Sequence, residues 1–249
     1  MKENGSPYKS TARFWYIVYW IVAKLSIKFR LFQTKTARAG EIAAWTRYLQ
    51  KTFGDKNLQL YSDKDKLRSK LFSRIAKDEK VIVMELGVAY GKGSKWIINS
   101  LGERLLEFHG FDLFSGLPRQ WRGLKAGHFS TNGASPKIED PRVSWHIGNV
   151  ENTLEQFLCN AGNSINEIRM ERLVILFDLD ILEPTAKSYE LLKLKLKKGD
   201  LIHFDEAFDA ENELIVLHKF LQDFKVEFIG FTSEAACFEI LSEKVYTEL

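Results

Sequence analysis

Cysteine is scarce in this chain of 249 residues, which contains Cys159 and Cys237 alone. Their separation excludes the paired spacing of a zinc site, and both lie in apolar segments, so we expect reduced, buried thiols in a cytoplasmic protein. An excess of charge is missing too, since 36 Lys and Arg residues stand against 33 Asp and Glu residues. A net charge of +3 gives no clustered basic face, so we expect no nucleic-acid partner.

A long hydrophobic run is also missing. The aromatic stretch FWYIVYWIVA at residues 14–23 falls short of the roughly 20 apolar residues that a spanning helix needs. No small-residue cleavage site follows, so we expect no signal peptide. Basic residues flank the stretch: Arg13, Lys24, Lys28 and Arg30. Three interpretations stay open and can overlap: a helix packed on the domain or on a second subunit of a homo-oligomer, a peripheral membrane contact through residues 14–30, and a lid over the active site.

Short apolar runs alternate with helical patterns after residue 79. The runs are VIVMEL, LLEFHGF, VSWHI, RLVILFDLD, DLIHFDE, VEFIGF and ACFEILS. This alternation predicts an α/β fold with a mostly parallel sheet and helices on both faces. Too few residues join the last two runs for a crossover, so we expect an antiparallel hairpin at the C-terminal end. Residues 1–79 are then a helical extension, with helices over 41–50 and 65–76, and residues 80–249 form the main domain.

Acidic residues follow four of the predicted parallel strands. They are Glu85, Asp112, the pair Asp178 and Asp180, and the pair Asp205 and Glu206. The carboxyl ends of parallel strands share one edge of a sheet, so we expect these side chains to converge there. Converging carboxylates repel one another and lose hydration, so the cluster requires a cationic ligand or a divalent metal.

The turn after the first strand indicates which ligand. Its glycines, Gly87, Gly91 and Gly93, have neither the dinucleotide spacing nor a P-loop lysine. Glu85 directly before the turn would repel a pyrophosphate, but it suits the ammonium and sulfonium groups of S-adenosylmethionine. Asp112 at the end of the second strand fits the acid that accepts hydrogen bonds from ribose hydroxyls.

The acids further along the chain favour a hard metal ion. Oxygen-only ligands suit Mg²⁺ or Ca²⁺, and Asp178, Asp205 and Glu206 form the predicted magnesium site. In the alternative, Asp180 and Glu206 cap helices or pair with lysines, and Asp178 alone contacts the substrate.

The expected catalytic residues are Asp178 and His128. His128 lies in the long loop, residues 113–142, which follows the second strand and faces the ligand edge of the sheet. His203 stands near the acids but alternates inward, as a core residue would. In the same loop, aromatic and basic residues are candidates for acceptor binding, although a solvated loop is the alternative: Arg119, Trp121, Arg122 and Phe129.

Five segments together resemble a known family. ELGVAYGKGS, GFDLFSGLP, GNVENTL, LFDLDILEPT and GDLIHFDEAF are similar in order and spacing to the macrocin O-methyltransferase (TylF-like) family of class I S-adenosylmethionine-dependent methyltransferases, over roughly residues 80–225. The resemblance implies a Rossmann-like fold, Mg²⁺-dependent methylation of a sugar hydroxyl, and metal binding at Asp178, Asp205 and Glu206. It implies cofactor binding by Glu85, Gly87, Gly91, Ser94, Asp112 and Asn149. The chain departs from the family at Glu206, where an aspartate is usual, and at Ile181-Leu182, which replaces a Leu-Tyr pair.

The sequence therefore predicts an O-methyltransferase that acts on a sugar, a glycolipid or a glycosylated metabolite. Two alternatives remain: an enzyme that methylates a catechol-like phenol, and a non-catalytic protein that keeps a cofactor pocket.

Overall fold

The computed structural model describes residues 17–25, 30–160 and 171–244. By their contacts the residues divide into two compact units, Met1–Thr52 and Phe53–Leu249. The sheet unit thus begins before residue 80, where the sequence placed the domain boundary. The reason lies in the segment before that residue, because Leu60 bridges to Phe231 of the sheet and the helix that follows packs on the sheet.

The first unit contains helix α1, residues 17–25, and most of helix α2, Arg30–Phe53, which includes the predicted helix at 41–50. Tyr19 and Trp20 are exposed on α1, and Lys24 Nζ lies 4.0 Å from the centre of the Trp20 ring. Arg13, Lys28 and residues 14–16 of the predicted membrane-contact segment lie outside the described residues. None of the described helices is both long and apolar enough to cross a membrane.

The second unit is built on a seven-stranded sheet with the order β3-β2-β1-β4-β5-β7-β6. The strands are β1 Val81–Leu86, β2 Leu105–Asp112, β3 Val143–Ile147, β4 Arg172–Phe177, β5 Leu201–Phe204, β6 Phe224–Phe231 and β7 Ala236–Glu243. Strands β1 to β5 pair in parallel, while β7 pairs antiparallel with both β5 and β6. The predicted α/β fold with a C-terminal hairpin is confirmed.

Helices cover both faces of the sheet. Helices α3, Lys64–Phe72, and α4, Lys92–Leu101, share one apolar core with alternate residues of the central strands. Helices α5, Val150–Cys159, α6, Leu182–Lys193, and α7, Glu213–Asp223, pack side by side on the other face. That second core is aromatic, and Phe177 of β4 stacks on Phe204 of β5 with ring centres 4.9 Å apart.

Strand alternation decides which side of the sheet edge each acid faces. Val83 of β1 and Leu201 of β5 are buried in the core under α3 and α4. Side chains two and four residues later lie on the same face of a strand. Glu85 and Asp205 therefore emerge on the α3 side of the edge.

The two cysteines differ in exposure. Cys237 is buried as predicted, but the prediction for Cys159 is wrong because this residue is exposed. The buried residues of α5 are Val150, Leu154 and Leu158, which repeat every fourth position. Cys159 directly follows this stripe at the end of the helix and therefore faces away from the core.

Candidate active site

A cavity of about 570 Å³ opens at the carboxyl edge of the parallel strands. Segments after β1, β2, β4 and β5 line it together with the start of α5, and Lys64 of α3 also reaches it. This volume falls in the range of small-molecule sites, and the edge is where open α/β sheets bind ligands.

Asp112 organises the cofactor end of the cavity. One oxygen of its carboxylate accepts hydrogen bonds from the backbone N–H groups of Val88, at 2.7 Å, and Ala89, at 2.8 Å. The other accepts the N–H of Phe114 at 2.6 Å. A carboxylate has about four acceptor sites, so it can still receive a hydroxyl from a ligand. Asp112 thus fixes the turn after β1 and borders the cavity.

Gly87 is required by the close approach of β1 and β4. Its φ is +92°, and a Cβ placed there would lie 1.8 Å from the backbone oxygen of Asp178. Gly91 is crowded in a similar way, since a Cβ there would lie 2.4 Å from the ring of Pro136. The glycines at these two positions are therefore a structural necessity.

The six predicted cofactor residues fall into two groups. Gly87, Asp112 and Asn149 line the cavity. Asn149 directly precedes α5, and its side chain makes no capping hydrogen bond to the helix. The other three, Glu85, Gly91 and Ser94, are absent from the cavity lining among the residues that the structure describes.

Glu85 lies behind the turn, under the start of α4. It is 3% exposed, and its carboxylate accepts a hydrogen bond from Ser94 Oγ. Burial raises the pKa of Glu85 to about 7, although the Ser94 hydrogen bond and the charge of Arg68 act to lower it. Its position indicates support of the glycine turn.

The four acids after β4 and β5 do converge on the cavity. We call Asp178, Asp180, Asp205 and Glu206 the acid edge, because all four line the cavity at the ends of these strands. Asp180 has a φ of +61°, a region that residues other than glycine rarely adopt. The fold therefore holds this side chain in place against a local backbone cost.

Helix α3 brings two cations to the acid edge. Lys64 Nζ forms an ion pair with Asp205 and lies 3.8 Å from Glu206 Oε1. Arg68, one turn later, donates to Asp205 Oδ1 at 3.1 Å. Sequence reasoning missed both residues. The available signal was their i,i+4 spacing beside the apolar Leu67, which places two cations next to a buried helix stripe.

The surrounding charges and burial lower the pKa of one acid, Asp205, and raise the pKa values of Asp178 and Asp180. Burial alone would raise the pKa of Asp205, but the hydrogen bond with His203 and the charge of Lys64 lower it overall. The pKa of Asp178 is raised well above its ordinary value by burial and then by the charges of Asp205 and Asp180. Burial, together with Glu206 and Asp205, raises the pKa of Asp180 to about 7.

Solved structures share this architecture, although no family model and no curated protein matches the sequence. CalS11, the calicheamicin methyltransferase, is 23% identical with a TM-score of 0.54, covering 70% of this chain and 78% of that one. The apo structure of CalS11, described as TDP-rhamnose 3'-O-methyltransferase, has a TM-score of 0.49 at the same identity and coverage. The O-methyltransferase NovP is 15% identical with a TM-score of 0.47, covering 71% and 80%.

The chain has the fold of the class I methyltransferases. At 23% identity the similarity establishes the fold alone. The narrower resemblance to the TylF-like family stays a prediction.

In this methyltransferase fold the predicted magnesium ligands do not fit a metal ion. Among residues 17–25, 30–160 and 171–244, no group of three or more His, Cys, Asp or Glu side chains is arranged to hold one. Asp205 is paired with Lys64 and Arg68, and Glu206 is paired with Arg122 of the long loop. The alternative, in which Asp180 and Glu206 pair with basic side chains, therefore describes Glu206; Asp205, which that alternative did not include, is paired as well.

The histidine predicted as a base lies outside the cavity of this methyltransferase fold. His128 is exposed, and its ring packs edge-on against Phe129, with ring centres 4.4 Å apart. His203 is fully buried, as expected of a core residue, with Nε2 3.1 Å from Asp205 Oδ1. Asp180, by contrast, lines the cavity and has a pKa of about 7.

The long loop forms the outer wall of the cavity. Trp121 and Phe129 line it, as the stacking prediction requires. Arg119 pairs instead with Glu183, at 2.6 Å. Arg122 spans from the loop to Glu206 and to Asp209, whose Oδ2 lies 3.0 Å from Nη2. The loop thus supplies aromatic surface to the cavity, while both arginines are paired.

Proposed function

We propose that this chain is an S-adenosylmethionine-dependent O-methyltransferase that acts on a hydroxyl of a sugar, a glycolipid or a glycosylated metabolite. One observation carries the proposal: a single cavity joins the glycine turn and Asp112 at one end to the acid edge at the other. A methyl donor and an acceptor hydroxyl must be held together in one space, and this cavity is large enough for both.

The residues at the cofactor end match the chemistry of the donor. Asp112 would accept a ribose hydroxyl, Asn149 would bind a polar edge of the base, and Gly87, which lacks a side chain, would let the backbone approach the ligand. When bound, S-adenosylmethionine supplies an electrophilic methyl group on a positively charged sulfur.

The acceptor end requires a group that takes the hydroxyl proton. In the proposed reaction the acceptor oxygen forms a bond to the methyl carbon, the carbon–sulfur bond breaks, and the proton passes to the carboxylate of Asp180. A base with a pKa near the working pH is best suited to this step, and Asp180 has a pKa of about 7. Asp178 also lines the cavity, and its raised pKa favours the protonated carboxyl, which can donate a hydrogen bond there.

The aromatic wall favours a ring-shaped acceptor. Trp121 and Phe129 line the cavity, and aromatic rings there would suit the apolar face of a sugar ring. The activity named for CalS11, on TDP-rhamnose, supports the same class of acceptor. The magnesium dependence implied by the family resemblance is left out of this proposal, because cations of the chain already pair with two of the three predicted ligands.

Calorimetric titration with S-adenosylmethionine tests the cofactor half of the proposal. The full-length protein should bind it, and Asp112→Asn should weaken binding at least about tenfold, or about 1.4 kcal/mol. Asp55→Asn is the matched control, because Asp55 is exposed and is not part of the cavity lining, and this variant should bind S-adenosylmethionine as the wild type does. Absence of binding in the wild type would refute the proposal.

A panel of acceptors with methyl-labelled cofactor tests the other half. Transfer to sugar-containing acceptors is expected. Methyl transfer only to catechols would show that the acceptor is a phenol and not a sugar. Cofactor binding without methyl transfer to any acceptor class would indicate a non-catalytic binding protein.

A further inference from the structure

Two members of the acid edge, Asp205 and Glu206, are paired with cations of the chain itself. Asp205 Oδ1 lies 3.1 Å from Arg68 Nη2 and 3.1 Å from His203 Nε2, while Oδ2 accepts a hydrogen bond from Lys64. Glu206 Oε2 pairs with Arg122, and its Oε1 lies 3.8 Å from Lys64 Nζ. Every carboxylate oxygen of these two acids therefore faces a cation or a donor.

Lys64 is the cation at the centre of this arrangement. Its Nζ contacts Asp205 and Glu206, lies 3.4 Å from Glu234 Oε2, and borders the cavity. Its side chain is only 28% exposed. A divalent ion bound to Asp205 and Glu206 would have to lie next to this ammonium group and would be repelled by it.

The fold fixes Lys64 in this place. Lys64 is the first residue of α3, and the helix start is capped by Asp63, whose carboxylate accepts the N–H of Lys66 at 2.8 Å. Leu67 and Leu71 anchor the same helix in the core. Capping and burial thus hold the first turn against the sheet, so the ammonium reaches the acid edge from a rigid element.

We propose that Lys64 takes the place of a divalent cation at the acid edge, so that this protein binds no metal there and needs none for its reaction. The part that concerns turnover rests on the proposed methyltransferase function; the part that concerns metal binding does not. An acceptor hydroxyl that enters the cavity would meet the N–H groups of an ammonium in place of a metal ion. The chain would then differ from the magnesium-dependent behaviour that its sequence resemblance implies.

Titration with Mn²⁺, followed by electron paramagnetic resonance on the full-length protein, tests the metal-binding part. The wild type should show no bound Mn²⁺ at the acid edge up to millimolar concentration. Lys64→Gln should gain Mn²⁺ affinity by at least about tenfold, because a neighbouring like charge is gone. Lys64→Arg, which keeps the charge, should not gain affinity.

A matched control is available on the same helix. Lys66 is two residues further on, and its Nζ bonds to Ser62 and Asp63, away from the acid edge. Lys66→Gln should leave Mn²⁺ binding as in the wild type. Binding of Mn²⁺ by the wild type, if Asp178→Asn abolishes it, overturns the proposal. A folded Lys64→Gln that gains no Mn²⁺ overturns the role of Lys64, and if that variant fails to fold, Lys64→Met replaces it.

Turnover measurements complete the test. After chelation the wild type should keep its rate within about twofold, and Lys64→Gln should lose at least about tenfold while Lys64→Arg retains most of it. Loss of wild-type turnover on chelation, restored by Mg²⁺, overturns the proposal. Failure to bind S-adenosylmethionine would instead refute the proposed function and leave the Mn²⁺ result intact.

Discussion

Replacing Gly87 with alanine tests the junction between β1 and β4 on which the cavity depends. The substitution lowers stability in two ways. A residue with a Cβ pays about 1–2 kcal/mol of conformational free energy to adopt a left-handed backbone. The second cost is steric, because the new Cβ would lie 1.8 Å from the carbonyl oxygen of Asp178. That distance can be relieved only if the two strand ends move apart.

The separation would strain two backbone hydrogen bonds. Asp178 N–H donates to Leu86 O at 2.8 Å, and Gly87 N–H donates to Phe111 O at 2.9 Å. Their loss adds about 2 kcal/mol at about 1 kcal/mol for each bond. We therefore expect Gly87→Ala to lower the free energy of unfolding by about 3–4 kcal/mol in total.

Gly123→Ala separates the two costs. Gly123 has a nearly equal φ, +86°, but no atom lies within 4 Å of a Cβ placed there. It should cost about 1–2 kcal/mol, the backbone part alone. Urea unfolding of the full chain, followed by circular dichroism, measures both variants, and an unchanged slope identifies a true change in stability. Equal losses for the two variants would show that β1 and β4 do not approach as closely as described.

Three further predictions concern charge and surface. Below pH 7 the proposed base Asp180 should be increasingly protonated, so kcat/KM should fall about tenfold for each pH unit below 7 and be constant above it. Asp180→Asn should lower the rate at least about 100-fold. A kcat/KM that does not change with pH would rule out this base. Glu85 has a folded pKa raised to about 7 from an ordinary 4.5, so the stability it contributes is complete below pH 4.5 and is lost as pH rises through 7. The unfolding free energy of the wild type relative to Glu85→Gln should therefore decrease over that window, and a constant difference would contradict the burial of this carboxyl. If the exposed ring of Trp20 contacts lipid, Trp20→Ser should reduce co-sedimentation of the full chain with anionic vesicles, and equal sedimentation of both proteins would argue against the membrane contact.

The sequence was sufficient to predict a mostly parallel sheet that ends in an antiparallel hairpin, and the meeting of acids after β4 and β5 at one edge. Near-continuous apolar runs such as VIVMEL occur in strands buried on both faces, and each parallel strand ends at the same edge. Asp112 and Asp178 were therefore placed at the cavity by topology alone. The hairpin followed from the short connection between β6 and β7.

The sequence was not sufficient to show which charges meet at that edge. Lys64 and Asp205 are separated by 141 residues, and no local pattern shows that a helix before the sheet packs its first turn on the fifth strand. Residues 65–76 were predicted to be helical, but the face they present depends on tertiary packing. For the same reason Glu85 was assigned to the cavity, although strand alternation directs it under α4 to Ser94.

The choice of His128 as a base illustrates a different limit. Composition singled it out as a titratable residue in a long loop, and the loop does border the cavity through Phe129. However, the loop is an irregular segment closed by its own backbone bonds, such as Leu117 N–H to His128 O at 2.8 Å. An irregular segment lacks the helix or strand periodicity from which the orientation of a side chain can be predicted.

The contacts of Arg122 have a consequence for how ligands would enter and leave. This arginine joins the outer wall to Glu206 and Asp209 on the opposite rim by charge. Dissolved ions weaken partly exposed pairs of this kind. Opening of the wall should therefore be easier in concentrated salt, and an anionic ligand arriving at the mouth would compete with the two carboxylates for the same guanidinium group.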